Sequence, residues 1–402
     1  MSRAADWKRV ARPELALLFA CARTDLGPES AEAVRALLGR QLDWTFLLRA
    51  ARRHGLQPLL YWHIKEVPPG VVPEEILKRL ERHFRGNARR NLFLTGELVR
   101  ILERFRARGI PAIPFKGPAL TEALYGNLAL REFCDLDILV PRGRAREAVE
   151  SLAAEGYLPF AALTPEQHHR CLKFFHHLHL THPTRGFFVE IHWLFFRSKY
   201  TFALDMGRFW ATHEARPESA GLNSLPPEEA LLYLCAHGTV HAWEELKWVC
   251  DVAALLNRHA DLDWGKVLAL ADDLRCRRGL FLGLVLAGAL LDAPVPKEVA
   301  AKAEGDRRAV ALAALVWQNL NADGGRPLSK FAGFAFNLKV KECVADRLRL
   351  CAGFAFALTE ADLPTLQLPG GLFFLHYLLR PLRLLRELGS GLIGRVRGGR
   401  GE

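Results

Sequence analysis

Three carboxylates in two short apolar runs carry the strongest chemical signal in this 402-residue chain. Asp135-Leu136-Asp137 lies in the run FCDLDILV. On a strand, residues two apart share a face, about 6.5 to 7 Å along the chain. Two like charges held that close repel. A divalent cation between them relieves the repulsion, and Mg²⁺ prefers carboxylate oxygen together with water and phosphate oxygen. Glu190 is the only acid among the large apolar residues of 187–193. Burying an unpaired carboxylate costs several kcal/mol. Glu190 therefore needs a metal, a neutral state or a basic partner such as Arg131 or Arg185. By strand alternation His192 faces the same side as Glu190. Three carboxylates on two neighbouring strands can hold two Mg²⁺ ions for in-line phosphoryl or nucleotidyl transfer.

Histidine is the second signal. Seven of the fifteen histidines fall between His168 and His192. Neutral imidazole ligates transition metals, so a zinc site on His177, His179 and a neighbour is one reading. No spacing there matches a zinc motif, and roles in structure or substrate contact are preferred. His237 and His241, four apart on an expected helix, share a face. Gly238 stands where a metalloprotease needs its Glu, which removes that reading. Trp248 and Asp251 continue the stripe, and Asp251, alone in an apolar run, is expected to pair with a basic residue such as His192 or His241. No dinucleotide fingerprint, Walker A, nucleophile elbow, helix-turn-helix or zinc finger is present in the sequence.

The elements that must position these residues differ along the chain. From about 13 to 105 apolar residues recur every three to four positions, which predicts helices only. At Gly109 the pattern changes to a short β-prone run ending in Lys116-Gly117, then a helix over 118–126, the Asp-rich strand and a helix over 145–155. Two further runs flank Pro183-Thr184-Arg185-Gly186, which predicts a hairpin. Beyond about 202 the periodicity is helical again. The expected class is α+β: a small mixed-sheet core flanked by N-terminal and C-terminal helical regions. The expected segments are 1–108 helical, 109–202 core, 203–351 helical and 352–402 a basic amphipathic tail.

Composition bounds the partners. Lys plus Arg is 55 against 44 Asp plus Glu, giving +11. That excess suits nucleic acid, anionic lipid or a phosphorylated substrate, and does not address fold. The eight cysteines form no CxxC pair and several lie in apolar runs, as reduced cysteines of a cytoplasmic protein do. No signal peptide or membrane span is expected. The tail places Arg380, Arg383 and Arg386 among Leu and Phe. It reads as a helix packed on the body, or as one lying on an anionic membrane surface.

Phe115-Lys116-Gly117, Tyr125, Arg131, Asp135 to Val140 and Val189-Glu190-Ile191-His192-Trp193 together resemble the uncharacterised nucleotidyltransferase family, of the polymerase-β-like nucleotidyltransferase superfamily. Arg53-His54-Gly55, Pro58 to Tyr61, His237, His241, Leu246, Asp251 and the segment 368–385 extend the resemblance. It implies that Asp135 and Asp137 bind Mg²⁺ and the nucleoside triphosphate. Glu190 would be the third acid, holding the catalytic metal and helping to deprotonate the acceptor hydroxyl. Lys116-Gly117 replaces the superfamily's Gly-Gly or Gly-Ser at the phosphate-binding helix start. Lys116, Gly117, Arg131 and His192 are the expected nucleotide-contacting residues. The implied activity is transfer of an NMP from an NTP, ATP first, to an acceptor with release of pyrophosphate, using two Mg²⁺ ions. The acceptor is a small molecule, a peptide or protein side chain, or an RNA end, and DNA is not expected. The alternative is an inactive nucleotide-binding or scaffold protein on the same fold, at a membrane surface through its basic tail.

Overall fold

A computed structural model describes residues 12–159, 175–196, 204–214, 225–322, 328–357, 372, 374–375 and 377–386. His168 and His169, and most of the Arg-rich tail, lie outside the described residues.

The N-terminal segment is helical as its periodicity predicts: α1 Pro13–Cys21, α2 Pro28–Leu38, α3 Trp44–Arg53, α4 Gln57–Ile64 and α5 Glu74–Ala107. Proline opens α1, α2 and α4 in the first turn, where its missing N–H is no loss. Asp43 caps α3 by accepting from the Phe46 N–H at 2.9 Å. The 34-residue α5 carries acids in its first turn and arginines in its last, matching the helix dipole.

The middle segment contains β1 Ile113–Pro114, α6 Gly117–Tyr125, β2 Asp135–Leu139, α7 Ala145–Ala153, β3 Leu158–Pro159, β4 His177–Thr181 and β5 Phe188–His192. The five strands form one mixed sheet in the order β1-β2-β5-β4-β3. β2 and β5 are parallel, and the other pairs are antiparallel. The hairpin expected around Pro183 is the β4–β5 pair. Helices follow: α8 Met206–Glu214, α9 Pro227–Val240, α10 Leu246–Arg258, α11 Trp264–Asp273, α12 Arg277–Leu291, α13 Lys297–Gly305, α14 Arg307–Leu320, α15 Lys330–Val340 and α16 Val344–Phe356. The class is α+β, with helical regions flanking a small mixed sheet.

Period-2 alternation sorts the sheet into two faces. Leu136, Ile138, Leu178, Leu180, Val189 and Ile191 are buried against Leu98, Ile101 and Phe105 of α5 and Leu152 of α7. The opposite face carries the polar residues of β2, β4 and β5. A second apolar core joins α1, α3 and α4 to α9, α10, α12 and α14, and reaches Phe115 and Phe195 beside the sheet. The polar face of the sheet therefore looks toward the helical wall formed by α9 and α10.

Two local devices aim β2. Asn87 and Asn91 of α5 are buried and donate to backbone carbonyls of Leu128, Ala129 and Arg131 at 2.6 to 3.2 Å. Arg90 donates to the Phe133 carbonyl at 2.7 Å. The lead-in to the strand is thus stapled to the long helix. Gly117 has φ +52, and a Cβ there would stand 3.1 Å from the Asp135 carbonyl oxygen. Only glycine takes that backbone without strain, and it lets the start of α6 abut β2.

Candidate functional site

The register of β2, β5 and β4 produces two cross-strand rows on the polar face. Asp137 pairs with Glu190, and Glu190 with His179. One step along, Leu139 pairs with His192 and His192 with His177. His177, His179, Glu190 and His192, with Asp135, line a cleft of about 550 Å³ closed on its far side by Tyr233, His237, His241 and Trp248, and Asp137 is buried behind them.

Asp137 is 1% exposed. Its Oδ1 accepts from Lys116 Nζ at 2.8 Å and from His192 Nε2 at 3.1 Å. The same His192 Nε2 lies 3.0 Å from Glu190 Oε2, while His179 Nε2 donates to Glu190 Oε1 at 2.7 Å. Carboxylates only accept, so the ring nitrogens are the donors. His177 stacks on His192, with ring centroids 4.8 Å apart. Phe115 meets His192 edge-on at 5.0 Å.

The electrostatics follow from burial among alternating charges. Burial opposes the Asp137 carboxylate, but Lys116 and His192 hold its pKa below the ordinary value. Glu190 is treated likewise: burial raises it, and His179 and His192 hold it well below the usual range. Among the described residues no such cation is recorded in contact with Asp135. Burial, then the charge of Asp137, pushes it up to about 6. Burial disfavours the charged forms of Lys116 and His192, yet the adjacent carboxylates raise both pKa values. His177 is pushed down to about 3 by burial and by His192, so its imidazole is neutral at pH 7.

Asp137 Oδ2 is buried without a hydrogen-bond partner among the described residues. A buried carboxylate oxygen without a hydrogen-bond partner, beside a second acid, is a donor that a divalent cation fits. The hard oxygen donors of Asp135, Asp137 and Glu190 fit Mg²⁺. Asp137, Glu190 and His192 also bring their ligand atoms within 4.8 Å of one another.

Arg131 lies at the edge of the cleft but is 8% exposed. It makes a two-pronged ion pair with Asp251, at 2.8 and 2.9 Å, and Tyr125 donates to the same carboxylate at 2.8 Å. This corrects the expected pairing of Asp251 with His192 or His241. The basic partner weighed for Glu190 is likewise neither Arg131 nor Arg185; Arg185 binds Glu97.

Tyr233 stacks over His237 at 5.9 Å, and His237 and His241 both contact the Trp248 ring, at 5.6 and 5.2 Å. Gly238 has a packing reason. A Cβ there would stand 2.6 Å from the fully buried Trp243 ring. Tyr233 was not singled out from sequence, although it lies one helical turn before His237 on the same stripe. Asn87 and Asn91 were also missed. Their signal was two poor helix formers, one turn apart, inside a long helix.

The model of an uncharacterised nucleotidyltransferase family matches residues 40–292, which include the whole sheet and both walls of the cleft. The chain belongs to that nucleotidyltransferase family. Within the matched span, family membership and the acidic row lead to the same class of chemistry. A comparison with curated proteins finds no match. Among the described residues no helix is long and apolar enough to cross a membrane.

Proposed function

We propose that the protein transfers an NMP from an NTP, with ATP the first candidate, to an acceptor hydroxyl and releases pyrophosphate. The observation that carries this reading is the in-register Asp137–Glu190 pair on parallel strands, with Asp135 two residues before it at the mouth of the cleft. Asp135, Asp137 and Glu190 hold two Mg²⁺ ions in this reading. Bound Mg²⁺ supplies charge neutralisation on the triphosphate and alignment of the acceptor oxygen. His192 keeps the Asp137 and Glu190 carboxylates ionised and oriented. The amides at the start of α6, opened by Gly117, receive phosphate oxygens, and Lys116 exchanges Asp137 for the triphosphate. Arg131 acts from behind, through Asp251, rather than as an exposed phosphate clamp. Glu190 helps to deprotonate the acceptor hydroxyl. The aromatic wall of Tyr233, His237 and Trp248 offers π faces to the base or to an aromatic acceptor.

A second reading, a nucleotide-binding or scaffold protein without turnover, is favoured by Lys116 Nζ occupying Asp137 Oδ1 at 2.8 Å. Thermal shift with each NTP, with and without Mg²⁺, tests the metal site. Metal-dependent stabilisation is expected, and Asp135→Ala/Asp137→Ala should abolish it. Stabilisation that survives those substitutions removes the site. Pyrophosphate release in the presence of cell extract then separates enzyme from binder, and labelled NTP identifies the acceptor. Contact of the Arg-rich tail with anionic membrane and a cytoplasmic location belong to the same proposal. Flotation with anionic liposomes, comparing the full chain with one ending near Pro369, tests the tail.

A further inference from the structure

The histidines on β4 form an arrangement that the acidic row does not need. His177 and His179, two apart on one strand, share a face with Glu190, which pairs with His179 across the β4–β5 ladder. One ligand atom from each of the three lies within 4.8 Å of the others. His177 Nε2 is 3.2 Å from His179 Nε2, which is 2.7 Å from Glu190 Oε1. Two ligands at about 2.0–2.1 Å from a tetrahedral zinc ion are about 3.3 Å apart, so the trio needs little movement to close on one ion. The hydrogen-bond chain orients it. His179 Nε2 carries the proton it donates to Glu190; a metal ion at this point takes that proton's place, His179 then keeping its N–H on Nδ1, and the His177 Nε2 lone pair is already turned toward the same point. The remaining His177 N–H, on Nδ1, then faces His176 Nε2 at 2.8 Å. A metal-ligating histidine usually donates its second N–H in this way.

We propose that His177, His179 and Glu190 form a binding site for a zinc-type divalent cation, open to the cleft at its fourth position. Nitrogen donors select zinc and its neighbours over Mg²⁺, which prefers oxygen. Three protein ligands on two paired strands, with the cleft as the remaining direction, give the geometry of an open rather than a closed zinc site. His-x-His alone suggested no zinc motif because the third ligand comes from another strand. The site shares Glu190 with the acidic row but uses neither Asp135 nor Asp137, so substitution of those two aspartates distinguishes it from the Mg²⁺ reading.

The test is titration of the untagged, metal-stripped full chain with Zn²⁺ and, separately, with Mg²⁺, in the absence of nucleotide, by calorimetry. One Zn²⁺ per chain is expected, bound tighter than Mg²⁺. His177→Ala and His179→Ala should each weaken it by roughly tenfold to a hundredfold. Cys134→Ser, at an exposed thiol lining the same cleft, and Asp135→Ala/Asp137→Ala should leave it in place. Zn²⁺ affinity unchanged in His177→Ala/His179→Ala, or lost in Cys134→Ser, overturns the site. Should the histidine variants fail to fold by circular dichroism, Co²⁺ bound to the unsubstituted chain decides the matter. Strong visible bands of a four- or five-coordinate ion support the site, and the weak bands of a six-coordinate ion reject it. Loss of Mg²⁺-dependent nucleotide binding in Asp135→Ala/Asp137→Ala with Zn²⁺ binding retained separates the two sites.

Discussion

Lys116 holds Asp137 much as a divalent ion would, by charge and by a 2.8 Å contact on one carboxylate oxygen. The lysine side chain is 20% exposed and the aspartate fully covered, so breaking the pair leaves a buried charge. Lys116→Met is expected to lower stability by about 3 kcal/mol, read as a shift in urea midpoint. Mg²⁺ should restore part of that loss and stabilise the variant more than the parent. An equal Mg²⁺ effect on both proteins would mean that ammonium and metal do not compete for Asp137. At this scale the sequence was informative where an acid stood alone in an apolar run. Asp135, Asp137 and Glu190 stood out because each is an acid set among apolar neighbours in a short strand. It was silent on Lys116 as their partner, because that contact joins a loop before α6 to a strand 21 positions later.

Among elements, the start of α6 and the joint between α3 and α10 are the sensitive places. Gly117→Ala places a Cβ 3.1 Å from the Asp135 carbonyl in a left-handed backbone, at a cost of about 1–2 kcal/mol. The same change should reduce Mg²⁺-nucleotide stabilisation in a thermal shift, because the helix start must retreat from β2. At the joint, buried His54 accepts the Leu246 N–H at Nδ1, 3.4 Å away, and its carbonyl accepts the Lys247 N–H at 3.2 Å. Burial, then the charge of Arg53, pushes its pKa down from 6.5 to about 3. A depressed histidine is bound by protons more tightly when unfolded. Its contribution is therefore intact above about pH 6.5 and falls by about 1.4 kcal/mol per pH unit toward pH 3. His54→Asn should flatten the decline of urea midpoint between pH 6 and 4, and an unchanged slope would refute the assignment. The strand alternation, the hairpin and the helical flanks were readable from periodicity. The parallel β2–β5 pairing was not, because register between strands separated by a helix and a hairpin is decided by packing on α5 and α7.

Across the whole molecule, the Arg131–Asp251–Tyr125 cluster ties the lead-in of β2 to α10. All three groups are buried, and Asp251 is 1% exposed. Asp251→Asn is expected to cost about 3–5 kcal/mol, because Arg131 is left charged without its partner, whereas Arg131→Met/Asp251→Leu should recover much of the loss. Chemical denaturation of the three proteins checks the order. The Lys116–Asp137 and Arg131–Asp251 pairs are each neutral, so the formal excess of +11 is carried entirely by the residues outside them.

The parallel β2–β5 ladder sets the time at which the acidic site comes into being. His192 and Asp137 are 55 positions apart, and closing such a loop precedes any reward from the contact. During synthesis or refolding, Asp137 therefore has no Glu190 or His192 until the crossover through α7, β3 and β4 has been made. In the proposed reading, nucleotide and metal therefore bind the closed sheet and do not template the early chain.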